Sequence, residues 1–466
     1  MTIIGLALCL TLVAARFVDR HRGAQSRPYL FETRLDHFNP FDRRTFNQRY
    51  YINSAFAAKD ARVAIVEIGG ESEITSAPGG SPEKPDILGD IAKMYGAVIY
   101  ALEHRFYGAS HPFPVGSKYD TSAEALEYLT SRQAQADLLL FIAARDKELC
   151  QDPEFLAQGM IGRLCLQWIV VGGSYPGAVT GWVYQHFPHI FAAGLSSSGV
   201  VDAKYLLPEF DTHTLTVPYS PCREALYQAH HELERIVREG GPSNKVYSTL
   251  GIRLDADQDD VFYYLADTML MCFQYGHMNQ CCDDYLVPAW TEHKDIVDAA
   301  LDYLREVSSF SSYDSKNIGM TEVAHNDAFR QWWWQTCTEV AYYQPAPAFN
   351  SLRASSITEE WHLQMCYKVF DGLSIGDPTQ RTNEYNGGMN IVADGIFFSN
   401  FWQDVWHYCG LTTAGQENVG FITCRDCGHC VDLHAPRKTD PPELGELRAR
   451  IKDFIVTRVD ELLLRE

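Results

Sequence analysis

The stretch that most constrains this chain is Leu166-Gln167-Trp168-Ile169-Val170-Val171-Gly172-Gly173-Ser174-Tyr175-Pro176-Gly177. A short apolar run rich in β-branched residues stops at a glycine pair, a serine follows, and Pro176 opens a helical pattern over 177–187. This is the layout of a nucleophile elbow, in which a serine stands on a sharp turn between a buried strand and a helix. Such a turn needs neighbours without bulk, which Gly172 and Gly173 supply. The helix N-terminus beneath Ser174 offers free backbone N–H groups and the positive end of a dipole, favouring negative charge that develops there. The usual spacing is Gly-x-Ser-x-Gly. Here Pro176 takes the second glycine slot and Gly177 follows, a change that the first helical turn tolerates because its N–H is unpaired anyway. The competing reading is a glycine-rich turn with a solvated serine.

Near-continuous apolar strands recur at both ends of the chain: Val63–Ile68, Ala97–Leu102, Leu166–Val171, Ile190–Leu195, Gly395–Ser399 and Val419–Ile422. Runs of this kind fit a parallel sheet buried on both faces. Helical periodicity separates several of them, notably over Ser122–Ala144 and Gly177–Phe187, so the fold class expected is a doubly wound α/β sheet. The middle differs. Glu224–Glu239, Asp259–Tyr275 and Ile296–Val307 read as helices, giving a helical lobe over 201–380 inserted into a sheet domain of 16–200 and 381–466. Glu443–Leu464 is an amphipathic helix expected to close the chain against the sheet.

The 39 basic and 60 acidic residues leave a net charge of −21. That balance argues against nucleic acid or an anionic membrane as partner. Residues 1–15 form an apolar run too short to span a bilayer, with Val13 and Ala15 placed for cleavage, and read as a secretory signal. No later apolar run reaches membrane length, so stable membrane insertion is not expected. Cys9 would leave with the signal. The twelve remaining cysteines are an even number suited to disulfides in an oxidising compartment.

A serine becomes a nucleophile only with a base in hydrogen-bond reach and a carboxylate that orients the base. In α/β-hydrolases the chain order is Ser, then Asp, then His, the last two on loops after late strands. The strand ending at Ser399 leads to Asp404, and the strand ending at Ile422 leads to His429. Asp394, Asp426 and Asp432 compete for the acid, His407 and His434 for the base. The oxyanion hole is expected from the backbone N–H of Tyr175 with another from Gly70 or Glu71, on the loop after an early strand.

Several longer motifs add a family likeness. Leu35-Asp36-His37-Phe38, Thr45 to Tyr50, Gly69-Gly70-Glu71, Leu102 to Gly108, Tyr128 to Ser131, Gly173 to Gly177 and Trp334 to Glu339 occur in order. In these the chain resembles the Pro-Xaa carboxypeptidase family, which includes lysosomal prolyl carboxypeptidase, dipeptidyl peptidase II and thymus-specific serine protease. The resemblance runs from Leu35 to Leu433. It implies an α/β-hydrolase with a helical cap, Ser174, Asp404 and His429 at the catalytic positions, a peptide substrate cut after proline near a chain end, no metal or organic cofactor, and a secreted or lysosomal location. Whether the chain pairs as a homodimer is left open. Two motifs depart from the family: Asn400-Phe401 and Asp404-Val405-Trp406 stand where Asn-Gly and Asp-Pro-Trp are usual, and His429-Cys430 stands where His-His is often found.

Two other readings concern cysteines. Cys427-Gly428-His429-Cys430 spells a thiol–disulfide exchange motif, and Cys424, Cys427 and Cys430 with a histidine have spacing compatible with zinc. A noncatalytic member of the hydrolase fold is a third reading, motivated by the altered Asp404 loop. Trp332, Trp333 and Trp334 read as core or as a wall of the substrate pocket. Dipeptidyl members of the family often carry an acidic residue in a Trp-Asp-Tyr-Gln run. The matching run here, Trp332 to Gln335, lacks it, which leaves Glu71 or Glu339 as substitutes and inclines the reading to carboxypeptidase action.

Overall fold

The computed structural model describes residues 26–150, 164–325, 327–349, 351–413 and 415–465, so the expected signal at 1–15 lies outside the described residues. Eight strands form one mixed sheet: β1 (Tyr29–Arg34), β2 (Thr45–Asn53), β3 (Val63–Ile68), β4 (Val98–Leu102), β5 (Gln167–Gly173), β6 (Phe191–Ser197), β7 (Ile396–Phe401) and β8 (Val419–Ile422). Their spatial order is β1-β2-β4-β3-β5-β6-β7-β8. β1 and β2 are antiparallel to their neighbours, and the six strands from β4 onward run parallel. The crossover from β3 to β4 and back to β5 places the nucleophile strand in the middle of the sheet.

The six strands expected from apolar runs are the six parallel ones. They read clearly because both faces are buried: β4 and β6 have no exposed position. β1 and β2 alternate buried with exposed side chains over much of their length, the pattern of a sheet margin with one face in water. One face of the sheet is covered by α1 (Ile87–Tyr95) and by the closing helix α9 (Pro442–Leu463), through Ile87, Ile91, Leu447, Ile451 and Ile455. The opposite face carries α2 (Ser131–Leu149) and α3 (Tyr175–His186), through Leu138, Phe141, Val179 and Trp182. This is an α/β-hydrolase sheet with helices on both faces.

The helix expected over Ser122–Ala144 is divided. Ala123–Leu126 forms one turn capped by Ser122, and α2 starts afresh at Ser131, where the Thr130 hydroxyl accepts from the Gln133 N–H at 3.1 Å. Two capping residues eight positions apart each satisfy a fresh set of orphan N–H groups, which favours two starts over one continuous helix.

Between β6 and β7 the chain is mainly helical: α4 (Ser220–Gly240), α5 (Gln258–Gln274), α6 (Ile296–Val307), α7 (Phe329–Gln335) and α8 (Glu359–Val369). Asp257 and Asp295 cap α5 and α6 through the N–H groups of Asp259 and of Val297 and Asp298. Cys222–Cys282, Cys272–Cys281 and Cys337–Cys366 are disulfides inside this insertion, while Cys150–Cys165 and Cys424–Cys427 lie in the sheet part. Cys409 and Cys430 are free thiols.

Candidate active site

Ser174 lies between the last residue of β5 and the first of α3, with φ 63° and ψ −130°. A non-glycine residue at positive φ is strained and persists only where its surroundings fix it. They do so here. The Ser174 N–H donates to the Ser197 carbonyl at 2.9 Å, and its own carbonyl accepts from Ala178 in the first turn of α3 at 3.0 Å. A Cβ on Gly172 would sit 2.2 Å from the Pro176 carbonyl oxygen, so the return of the chain over β5 requires glycine there. The Ser174 side chain caps nothing and is part-exposed, leaving its hydroxyl to the cleft.

Asp404 follows β7 and is fully buried. Its Oδ1 accepts from the Trp406 N–H at 3.1 Å, capping the short helical segment Val405–Cys409, and its Oδ2 lies 2.6 Å from His429 Nδ1. The altered Asp404-Val405-Trp406 sequence therefore still delivers a carboxylate to the imidazole. Burial alone would push the His429 pKa down; the Asp404 carboxylate, with Cys430 adjacent, outweighs it and holds the imidazole well above the ordinary histidine range. The competing residues are engaged elsewhere. Asp394 is exposed near Arg458, and Asp432 is buried between the Ser197 and Ser399 hydroxyls. The Asp426 carboxylate lies 3.7 Å from Arg425 Nε, and His407 bonds the Asp404 carbonyl.

The backbone of His429 is clamped by the helical insertion. Its N–H donates to the Gln274 carbonyl, at the end of α5, at 2.7 Å. Added Cβ atoms show how closely the two backbones approach: one on Gly428 would sit 2.2 Å from the Gly276 nitrogen, and one on Gly276 would sit 2.6 Å from the Asp426 carbonyl oxygen. Gln274 and Gly276 carried no sequence signal, because nothing in a helix C-terminus announces which loop it will meet.

Ser174 and His429 open into a cleft of about 400 Å³. Trp332 and Trp333 line it, Trp332 with its ring 6.0 Å from that of Tyr175. Trp334 does not line it. It is buried against Phe370 at 5.2 Å, because two positions along an α-helix from Trp332 a side chain emerges on nearly the opposite face. Glu339 also lies outside the cleft lining: its carboxylate accepts from the Ser131 N–H at 2.9 Å and from the Ser131 hydroxyl at 3.0 Å, at the start of α2, and burial pushes its pKa up to about 7. Glu71 lines the cleft. Burial raises its carboxyl to about 7, against the pull of its own backbone N–H and of His429. Gly70 sits against the Pro176 ring, which sets the loop after β3 beside the elbow. Asp267 of α5 also lines the cleft and was not anticipated; its spacing within a helix of mostly buried residues reads as an ordinary polar position.

Cys427 is bonded to Cys424, so the exchange pair Cys427–Cys430 is not formed and the zinc set loses two of its thiolates. Among the described residues no group of three or more His, Cys, Asp or Glu side chains is arranged to hold a metal.

The family model described as Serine carboxypeptidase S28 matches residues 33–451. The Arabidopsis thaliana protein named "Probable serine protease EDA2" is 32% identical over 428 residues, covering 89% of this chain and 83% of that protein. Thymus-specific serine protease of Mus musculus is 28% identical over 92% of this chain and 87% of its own length. Lysosomal Pro-X carboxypeptidase of Homo sapiens is 23% identical over 91% and 88%.

Proposed function

The chain belongs to the serine carboxypeptidase S28 family and is a serine peptidase, and we propose that it is an exopeptidase that cleaves after proline by a Ser174–His429–Asp404 triad. In this reading Ser174 attacks the peptide carbonyl carbon while His429 Nε2 takes its proton. Asp404 holds the Nδ1–H, fixing the tautomer and stabilising the imidazolium. The tetrahedral oxyanion is met by backbone N–H groups of Tyr175 and of Gly70 or Glu71. Collapse of the intermediate then passes the proton to the leaving amine, and water repeats the sequence on the acyl-enzyme. The observation that carries the proposal is the 2.6 Å contact of Asp404 with His429 in a cleft shared with a serine at positive φ.

The proline preference is supported by the aromatic wall at Trp332 and Trp333. A flat ring packs well against a pyrrolidine, which has little rotamer freedom to lose. The family description, serine carboxypeptidase, and the name of lysosomal Pro-X carboxypeptidase favour cutting at the carboxyl end. Five disulfides among the described residues support passage through the secretory pathway, and no described helix is long and apolar enough to cross a membrane. A fluorophosphonate probe should label wild-type protein at Ser174, and a peptide-library digest read by mass spectrometry should give products ending in proline. Absence of labelling, or cleavage indifferent to a Pro→Ala change, overturns the proposal.

A further inference from the structure

The run Leu102–Gly108, which leaves the end of β4, places none of its side chains in the cleft lining. Its first two polar residues, Glu103 and His104, are nevertheless buried. Burying a carboxylate or an imidazole is costly unless its polar atoms are paired, so their partners show what the two side chains hold. His104 Nδ1 lies 2.8 Å from the Arg105 carbonyl oxygen, which can only accept. The ring proton is therefore on Nδ1, and Nε2 accepts from the Tyr175 hydroxyl at 3.1 Å. Burial lowers the His104 pKa to about 4, so above that pH the ring is neutral and Nε2 remains an acceptor. Tyr175 is the residue after the nucleophile, and its backbone N–H is the first oxyanion donor in the reading above. Its ring stands between those of Trp332 at 6.0 Å and His104 at 5.5 Å.

Glu103 holds the other wall. Its Oε1 accepts from Arg49 Nη2 and from the Ile74 N–H, the latter at 3.1 Å. Its Oε2 accepts from Arg49 Nε at 2.9 Å, the Ala109 N–H at 3.1 Å and the Ser110 hydroxyl at 2.6 Å. Arg49 reaches on to the Glu73 carboxylate at 2.9 Å. At the start of the same loop the Gly69 N–H donates to the Leu102 carbonyl at 2.8 Å. Gly70 and Glu71 thus lie on a loop tied at both ends to the segment after β4. Gly108, at φ 56°, lets the chain turn back over the carboxylate: a Cβ there would sit 2.0 Å from Glu103 Oε1. We propose that Glu103 and His104 are positioning residues that set the two walls of the oxyanion hole, His104 through the Tyr175 hydroxyl and Glu103 through the Ile74 N–H. A donor in such a hole acts only within about 2.7–3.1 Å of the oxygen as its carbon becomes tetrahedral, and here the donors sit on two separate elements, α3 and the loop after β3. Two consecutive residues hold both. The proposal rests on the triad and oxyanion reading above and adds what fixes the donors.

The test compares, within each protein, a short peptide ending in prolinal with the same peptide ending in prolinol. Ser174 adds to the aldehyde carbon, its proton passes to His429, and the carbonyl electron pair settles on the oxygen inside the hole. The alcohol fills the same subsites with no carbonyl to attack. The ratio of Ki for alcohol over aldehyde therefore reads the hole, and changes in the subsites cancel. In wild type it should exceed about 100. His104→Leu and Tyr175→Phe break one hydrogen bond from its two sides. Each should lower the ratio about tenfold, with kcat on a proline peptide falling alongside and KM unmoved. His104→Gln returns an acceptor to the Tyr175 hydroxyl and should recover most of the loss. Glu103→Asp keeps the charge against Arg49 but draws the carboxylate back from the Ile74 N–H, and should also cost about tenfold. A lowered Tm with a wild-type ratio, in Glu103→Asp or in both His104→Leu and Tyr175→Phe, would mean that these side chains only support the fold, and overturns the proposal. A wild-type ratio near one, with no fluorophosphonate labelling, removes instead the triad reading on which it rests.

Discussion

Ser174 carries the first prediction at the scale of single residues. Replacing it with alanine removes one oxygen from a part-exposed turn whose backbone is fixed by Ser197 and Ala178, so the fold should survive. Peptidase activity should drop by roughly 10⁴-fold or more, the cost typical of losing a triad nucleophile. Turnover above a few per cent by a folded Ser174→Ala protein would show that another group attacks the peptide. Asp404 carries the second. Its carboxylate holds the His429 pKa above the ordinary range, so the base is neutral only at higher pH and the acid limb of kcat/KM is displaced upward. Asp404→Asn keeps the shape and removes the charge: the limb should move to lower pH while the plateau falls roughly 10³- to 10⁴-fold. A pH–rate profile with an unmoved limb would assign the orienting role to another carboxylate. All three triad candidates were legible in the sequence because each stands just past a continuous apolar strand, and that position is conferred by a local pattern. Asp267 was not legible. Its place in the cleft depends on how α5 lies across the sheet, which no spacing within α5 encodes.

Among the elements, the meeting of α5 with the loop after β8 governs the site. The Gln274 carbonyl takes the His429 N–H, and the facing glycines Gly276 and Gly428 let two backbones approach more closely than any side chain would allow. Gly428→Ala would put a methyl group 2.2 Å from the Gly276 nitrogen, an atom that cannot swing aside as a side-chain tip can. The loop must shift, carrying His429 with it, and misplacement of order 1 Å costs about 10²-fold in a reaction that depends on alignment. The variant should lose at least tenfold in kcat/KM and several degrees in Tm, measured side by side. Wild-type kinetics from Gly428→Ala would mean that α5 does not set the base. The parallel strands and most helices were readable from periodicity; the division at Thr130 and the antiparallel margin β1–β2 were not. In the first case a cap overrides a continuous pattern, and in the second one-sided burial dilutes the strand signal.

Across the whole molecule, the arrangement of covalent and apolar links decides how it unfolds. None of the five disulfides among the described residues joins the helical insertion between β6 and β7 to the sheet part, and the longest, Cys222–Cys282, closes 60 residues within the insertion. In the loop-entropy account such a link stabilises its own region by roughly 4 kcal/mol. Thiol titration of denatured, unreduced protein lacking residues 1–15 should therefore find two free thiols, Cys409 and Cys430. Four or more would mean that the insertion is not stapled. Local staples alone would let the two parts melt separately, but the apolar core argues otherwise. One buried cluster runs without interruption from Val170 and Trp182 beneath the elbow to Leu226, Leu265 and Leu301 in the insertion. Unfolding the insertion would strip apolar cover from the sheet at about 25 cal/mol per Å², and the exposed sheet face would follow. Calorimetry on the oxidised protein should accordingly show one endotherm, with van't Hoff and calorimetric enthalpies in agreement. Two resolved transitions would show that the insertion is a separately stable unit, and that the α5 clamp on His429 can open while the sheet stays folded.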